Sequence, residues 1–178
     1  IGEAEYHRPF TFQNATSSWI LQIDADEFLS RQLQVEIPKL VVDDKYDAYS
    51  FSWPYPKKNS YLKKGPFAKT VKSCLFRKNK LYMLGISHEY PKTVGLLMKK
   101  PDLLLEHKPT YDNFTYFSFQ KKWTKWASLQ AEQIYHIEEA PSYNMPTTIV
   151  KNPISYYKFM RNHPLISGLS ESVRFIFI

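Results

Sequence analysis

From Trp19 to Leu29 the chain reads Trp-Ile-Leu-Gln-Ile-Asp-Ala-Asp-Glu-Phe-Leu: an apolar run of strand length, three carboxylates within four residues, then apolar residues again. Crowding carboxylates beside a core is unfavourable unless a cation neutralises them. Asp24 and Asp26 alternate along an extended chain, so their side chains can leave on the same side. Two readings fit. In one, the strand ends in a solvated acidic turn or an acidic helix cap. In the other, the turn binds a hard divalent ion such as Mg²⁺ or Mn²⁺, which takes carboxylate oxygens together with the phosphate oxygens of a substrate.

The rest of the chain determines what surrounds this turn. Its 178 residues suffice for one domain with a real core and a smaller appendage. A hydrophobic content of 43%, with 16% aromatic residues, excludes a disordered chain and points to an aromatic-rich interior. The single cysteine, Cys74, rules out an internal disulfide, and its place in the apolar run Val71–Phe76 marks it as a core residue rather than a nucleophile. The net charge of +7 suits phosphorylated substrates, an anionic membrane surface or nucleic acid. Nucleic acid ranks last, because charge is its only support and no groove-reading element is recognisable. No stretch approaches the roughly 18 apolar residues of a spanning helix, and no signal peptide is evident. The chain begins at Ile1 and stops inside the apolar run Phe175–Ile178, so we expect a segment of a longer protein.

Periodicity divides the chain. Residues 1–12 look irregular, and Trp19–Ile23 reads as a strand leading into the acidic turn. Leu33, Ile37, Leu40 and Val41 recur at helical spacing from about Ser30 to Val42, with Pro38 expected to break or shorten that helix. Asp47–Trp53 alternates as a strand, and prolines with lysines make 54–69 a basic surface loop or a flap over an anionic substrate. Thr70–Arg77 and Lys80–Leu84 look like a pair of strands around Lys78-Asn79, and Leu103–His107 is a further short strand. A long helix should run from a cap at Asp112-Asn113 to about Glu139, with Tyr116, Phe119, Trp123, Trp126, Ile134 and Ile137 on its apolar face. The tail from Pro141 is basic and aromatic, a terminal helical hairpin or a membrane-surface element.

Three groups of polar residues follow apolar runs: Asp24/Asp26/Glu27, His88/Glu89 and His107. Open α/β sheets gather ligands at the carboxyl ends of their strands. A cation on Asp26 with Asp24 beside it would hold a diphosphate, His107 could add a neutral imidazole, and Glu89 could take a proton from an attacking hydroxyl. Zinc clusters, phosphate-binding glycine loops and nucleophile elbows are not found in the sequence.

In this order the residues resemble a family. Residues 19–29 look like the DxD segment of family 2 glycosyltransferases of GT-A fold, especially the bacterial branch acting on lipopolysaccharide core and other envelope glycans. Leu75-Phe76-Arg77-Lys78 resembles that branch's LFR strand, Gly85-Ile86-Ser87-His88-Glu89 its G-x-x-H-E segment, and Leu105-Glu106-His107 its L-x-H strand end. The resemblance covers about Gln13 to Glu139. It implies an α/β fold: a partial GT-A mixed sheet flanked by helices over 1–112, and a helical C-terminal extension over 113–178. The activity it implies is transfer of a sugar from a nucleotide-diphospho-sugar donor to an acceptor hydroxyl of an envelope glycan or lipid-linked saccharide. That transfer would depend on Mn²⁺ or Mg²⁺, invert the anomeric centre, and take place at the inner face of the cytoplasmic membrane. Asp26, Asp24 and His107 would meet metal or diphosphate, Asp24 also the donor ribose, His88 the acceptor, and Glu89 would be the base. Family members carry a nucleotide-binding β-α-β half before the DxD segment, whereas eighteen residues precede Trp19 here, so the fragment need not act alone. The competing reading is a non-catalytic basic module that binds a membrane surface or a partner.

Overall fold

The computed structural model describes residues 4–57, 60–61, 64, 66–87, 89–108, 116–147 and 152–163. In chain order the elements are α1 (Ala4–Asn14), β1 (Trp19–Leu21), β2 (Glu27–Leu29), α2 (Arg31–Val42), β3 (Ala48–Ser52), β4 (Pro56–Lys57), β5 (Ser60–Tyr61), β6 (Val71–Arg77), β7 (Leu81–Leu84), β8 (Lys92–Thr93), β9 (Leu97–His107), α3 (Tyr116–Tyr135), β10 (Ser142–Tyr143) and α4 (Pro153–Asn162). The fold is mixed α/β. Contacts separate it into two compact units: Ala15–Leu81 with Pro91–Asn113, which carries the sheet, and Ile1–Asn14 with Tyr82–Tyr90 and Phe114–Ile178, which is mainly helical.

The sheet unit is built on five strands in the order β1-β6-β3-β9-β2. All neighbours are antiparallel except β3 and β9, which run parallel. β1 and β2 lie on opposite edges although only residues 22–26 separate them, so the acidic segment crosses the end of the sheet. That end collects the carboxyl ends of β1, β3 and β9 and the start of β6. Leu33, Leu40, Tyr49, Phe51, Cys74, Leu75, Leu103 and Leu105 form the buried core, and each large apolar side chain fully removed from water contributes roughly 1.5–3 kcal/mol. Burial pushes the Cys74 thiol up to about 12, as expected of a core residue.

Several expectations change. Pro38 neither breaks nor shortens α2: Ser30 caps the helix by accepting from Leu33 N at 3.3 Å, and Leu33 and Leu40 anchor its inner face. Pro38 and Gln34, whose carbonyl it leaves without a helical partner, are both exposed to water. Residues 1–12 read as irregular, yet Ala4–Asn14 form α1 despite Pro9, with Phe12 buried. β6 and β7 do not form a hairpin, because β6 is flanked by β1 and β3 while β7 pairs with β10. β9 begins at Leu97, earlier than the apolar run suggests. The basic loop contains the β4–β5 ladder and a 3-10 turn at Pro66–Lys69.

In the helical unit, Leu84, Ile86 and Ile137 form a buried cluster against Ile134, Ala140, Met145, Ile154 and Tyr157. α3 ends at Tyr135 and a 3-10 turn, Ile137–Glu139, follows, with Trp126 half-buried. Asp112-Asn113, the side chains of Tyr116, Phe119 and Trp123, and most of the tail after His163 lie outside the described residues. Within the tail, Asn152 caps α4 by accepting from Ile154 N at 2.9 Å, and Pro153 occupies the first turn. Glu138 binds Arg161 through both carboxylate oxygens, at 3.1 and 3.2 Å, tying α4 to the turn after α3. No helix among the described residues is long and apolar enough to cross a membrane.

Candidate functional site

Strand alternation determines which side chains enter the acidic segment's surroundings. Ile20 and Gln22 point inward while Leu21 and Ile23 are exposed, so the only polar residue of the run is buried. Beyond Ile23 the chain turns, with Glu27 N donating to Asp24 O at 3.0 Å. Asp24 N donates to Glu27 Oε2 at 2.9 Å, closing the turn on itself. This turn separates the aspartates that an extended chain would keep parallel, and Asp24 bonds to Lys72 while Asp26 bonds to His107.

Asp24 Oδ2 and both carboxylate oxygens of Glu27 accept from Lys72 Nζ, at 2.7, 2.6 and 2.7 Å. Glu27 is 4% exposed and Lys72 7%, so their pair is internal, with the 33%-exposed Asp24 side chain at its edge. Burial acts to lower the Lys72 pKa, but the hydrogen bonds and charges of Asp24 and Glu27 outweigh it and the net shift is upward. Gln22 Nε2 donates to Asp24 Oδ1 at 3.3 Å.

Asp26 pairs instead with His107, Oδ2 to Nε2 at 3.2 Å, and its backbone carbonyl accepts from Lys108 N at 2.8 Å. The pair arises from register: β2 runs antiparallel to the end of β9, with Glu27 opposite His107. Trp53, the residue after β3, stacks on the His107 ring at 4.8 Å and 20°. Both members of the pair are part-exposed, Asp26 by 23% and His107 by 13% of the side chain. Asp26, Asp24 and His107 therefore gather at one end of one sheet.

Glu89 belongs to the helical unit. Its Oε1 accepts from the Tyr157 phenol, and its backbone N donates to Ile86 O at 3.2 Å. The preceding residues are held firmly. Gly85 N donates to Pro141 O at 2.7 Å, and Ser87 is gripped by Gln133 Oε1, which accepts from its N–H at 2.7 Å, and by Gln130 Nε2, which donates to its carbonyl at 3.0 Å. His88 lies outside the described residues. Beside this segment a cavity of about 620 Å³ opens, lined by Tyr6, Ile86, Lys125, Glu132, Gln133 and His136 among others.

The LFR strand is structural. Leu75 and Phe76 are buried, and Arg77 reaches Asp44 and Asp47 while lying 4.8 Å over the Trp19 ring. Residues the sequence did not single out are Lys72, Trp53, Gln130, Gln133 and Tyr157. Only Lys72 left a signal: a lysine inside the apolar strand Val71–Phe76 needs an internal partner if it faces inward.

Among the described residues, no group of three or more His, Cys, Asp or Glu is set to hold a metal ion. The donor set of Asp26 and His107 fits Mg²⁺ or Mn²⁺ in a narrower sense, since such ions often take one or two protein ligands and complete their shell with water and substrate phosphates. The buried His107 Nδ1 has no hydrogen-bond partner among the described residues. No protein-family model matches the chain, and no curated protein matches it.

Proposed function

We propose that this chain carries the metal–diphosphate end of a glycosyltransferase of GT-A type. It would move a sugar from a nucleotide-diphospho-sugar to an acceptor hydroxyl of an envelope glycan or lipid-linked saccharide, with inversion, at the inner face of the cytoplasmic membrane. The observation that carries the reading is the Asp26–His107 pair, 3.2 Å apart where β1 and β9 end, in the order of motifs that the DxD resemblance implies.

Asp26 and His107 would hold the ion. When bound, Mn²⁺ or Mg²⁺ would supply positive charge to the departing nucleoside diphosphate. The chain's own residues prepare that event. The Asp24–Glu27 turn, closed by two internal hydrogen bonds, fixes the direction in which Asp26 leaves the backbone. Trp53 holds the His107 ring by stacking and keeps one face of it from water. The resemblance makes Glu89 the base for the acceptor hydroxyl, and within the helical unit the Tyr157 phenol donates to that carboxylate. The basic surface would favour encounter with an anionic donor and anionic headgroups.

The test is turnover of nucleotide-sugars, read as donor hydrolysis or transfer with Mn²⁺. Asp26→Ala should lower the Mn²⁺-dependent rate by roughly 100-fold or more, the scale of losing an electrostatic stabiliser at a leaving group. An Asp26→Ala protein with full Mn²⁺-dependent turnover would remove the metal assignment.

A further inference from the structure

The acidic turn already contains a cation. An ammonium group has three N–H donors, and those of Lys72 meet three carboxylate oxygens, one of Asp24 and two of Glu27. The other oxygen of Asp24 accepts from Gln22, which is 6% exposed. A divalent ion bound to Asp24, whose side chain is 33% exposed, would share that carboxylate with the Lys72 ammonium 2.7 Å away, and two cations on one carboxylate repel. Asp26, two residues on, faces a ring nitrogen of His107 at 3.2 Å rather than an ammonium group.

We propose that Lys72 is a positioning residue that acts as the built-in counter-ion of the turn, withholding Asp24 and Glu27 from divalent metal and leaving Asp26 with His107 as its protein ligands. The proposal rests on the functional reading above and narrows it: of the two aspartates of the DxD segment, one orders the turn and one binds the ion. A consequence follows for affinity. With one carboxylate and one imidazole, Mn²⁺ alone binds weakly, and a nucleoside diphosphate tightens it by completing the coordination shell.

Two measurements on the full chain test this. The first is Mn²⁺ titration followed by electron paramagnetic resonance, with and without a nucleoside diphosphate. Asp24→Asn should stay within about twofold of wild type, Asp26→Asn should lose about tenfold or more, and Lys72→Met, which frees two carboxylates, should gain about tenfold. Lys72→Arg, which keeps the charge, should not show that gain. Equal losses in Asp24→Asn and Asp26→Asn would overturn the proposal. The second is a urea-unfolding cycle over Glu27→Gln, Lys72→Met and the double variant, which reads the counter-ion role without metal. Strong coupling, with the double variant more stable than Lys72→Met alone, supports it; additive effects overturn it. Absence of Mn²⁺ binding by wild type under both conditions overturns the functional reading, and the unfolding cycle then decides the counter-ion role by itself.

Discussion

Two segments of this chain hold a carboxylate in place by opposite means. At the Asp24–Glu27 turn, charge is met with charge: Lys72 bonds to Asp24 and to a Glu27 side chain that has no solvent exposure. At Gly85–Glu89, neutral groups do the holding: two glutamines grip Ser87, and a phenol donates to Glu89, which is half-buried. The difference follows from desolvation. A carboxylate removed from water demands a full opposite charge, whereas one that keeps part of its hydration can be oriented by a neutral donor. The first arrangement is costly to break because it leaves a charge buried and uncompensated.

The contrast predicts an order of mutational effects. The largest belongs to the ion cluster: Lys72→Met leaves Glu27 buried without compensation and should destabilise the chain by about 3–5 kcal/mol in urea unfolding. The folded pKa of Lys72 lies above its ordinary 10.5, so this contribution is complete below that pH and is lost as pH rises through the higher folded value. The gap between wild type and Lys72→Met should therefore close only in strongly alkaline solution. A gap that closes near neutrality would mean that Lys72 is not the counter-ion.

Next comes the packing of the second segment. A Cβ on Gly85 would lie 2.8 Å from Pro141 Cγ and 3.0 and 3.1 Å from the carbonyl oxygens of Glu5 and Pro141. Gly85→Ala should cost about 1–3 kcal/mol by forcing these groups apart, with the loss read as a lower thermal midpoint. A neutral effect would show that the Gly85–Ser87 grip yields more readily than its hydrogen bonds imply.

The smallest effect lies at the surface. The Arg161 hydrogen bonds, with help from Lys158, lower the Glu138 carboxyl to about 2. Its folded pKa is depressed, so the stabilisation is present above the ordinary 4.5 and is lost as pH falls toward about 2. Exposure and salt weaken such a pair. Glu138→Gln should therefore speed amide exchange in α4 slightly at neutral pH and much less as pH falls toward 2, and added salt should shrink the neutral-pH difference.

Much of the sheet unit was legible because its strands are apolar runs punctuated by polar residues, and Asp26 and His107 both stand where such runs end. α2 was legible from the spacing of Leu33, Ile37, Leu40 and Val41, and core packing overrides the proline that local rules count against it. Strand pairing was not legible: β1 and β2 are nearly contiguous in sequence yet occupy opposite edges, an outcome set by the long β9 rather than by anything local. α1 carries no clean apolar stripe, so periodicity could not find it. The partners of the carboxylates were hidden for the same reason. Lys72 lies 45 residues from Glu27 and Tyr157 lies 68 from Glu89, distances over which single-sequence patterns say nothing.

The central claim is that Asp26, and not its neighbour Asp24, joins a divalent ion to a nucleoside diphosphate. Calorimetric titration of the full chain with a nucleoside diphosphate, with and without Mn²⁺, tests it directly. Mn²⁺ should tighten binding by about tenfold or more in wild type and in Asp24→Asn, and should have no effect in Asp26→Ala. Mn²⁺-dependent binding that survives in Asp26→Ala and disappears in Asp24→Asn would contradict the account.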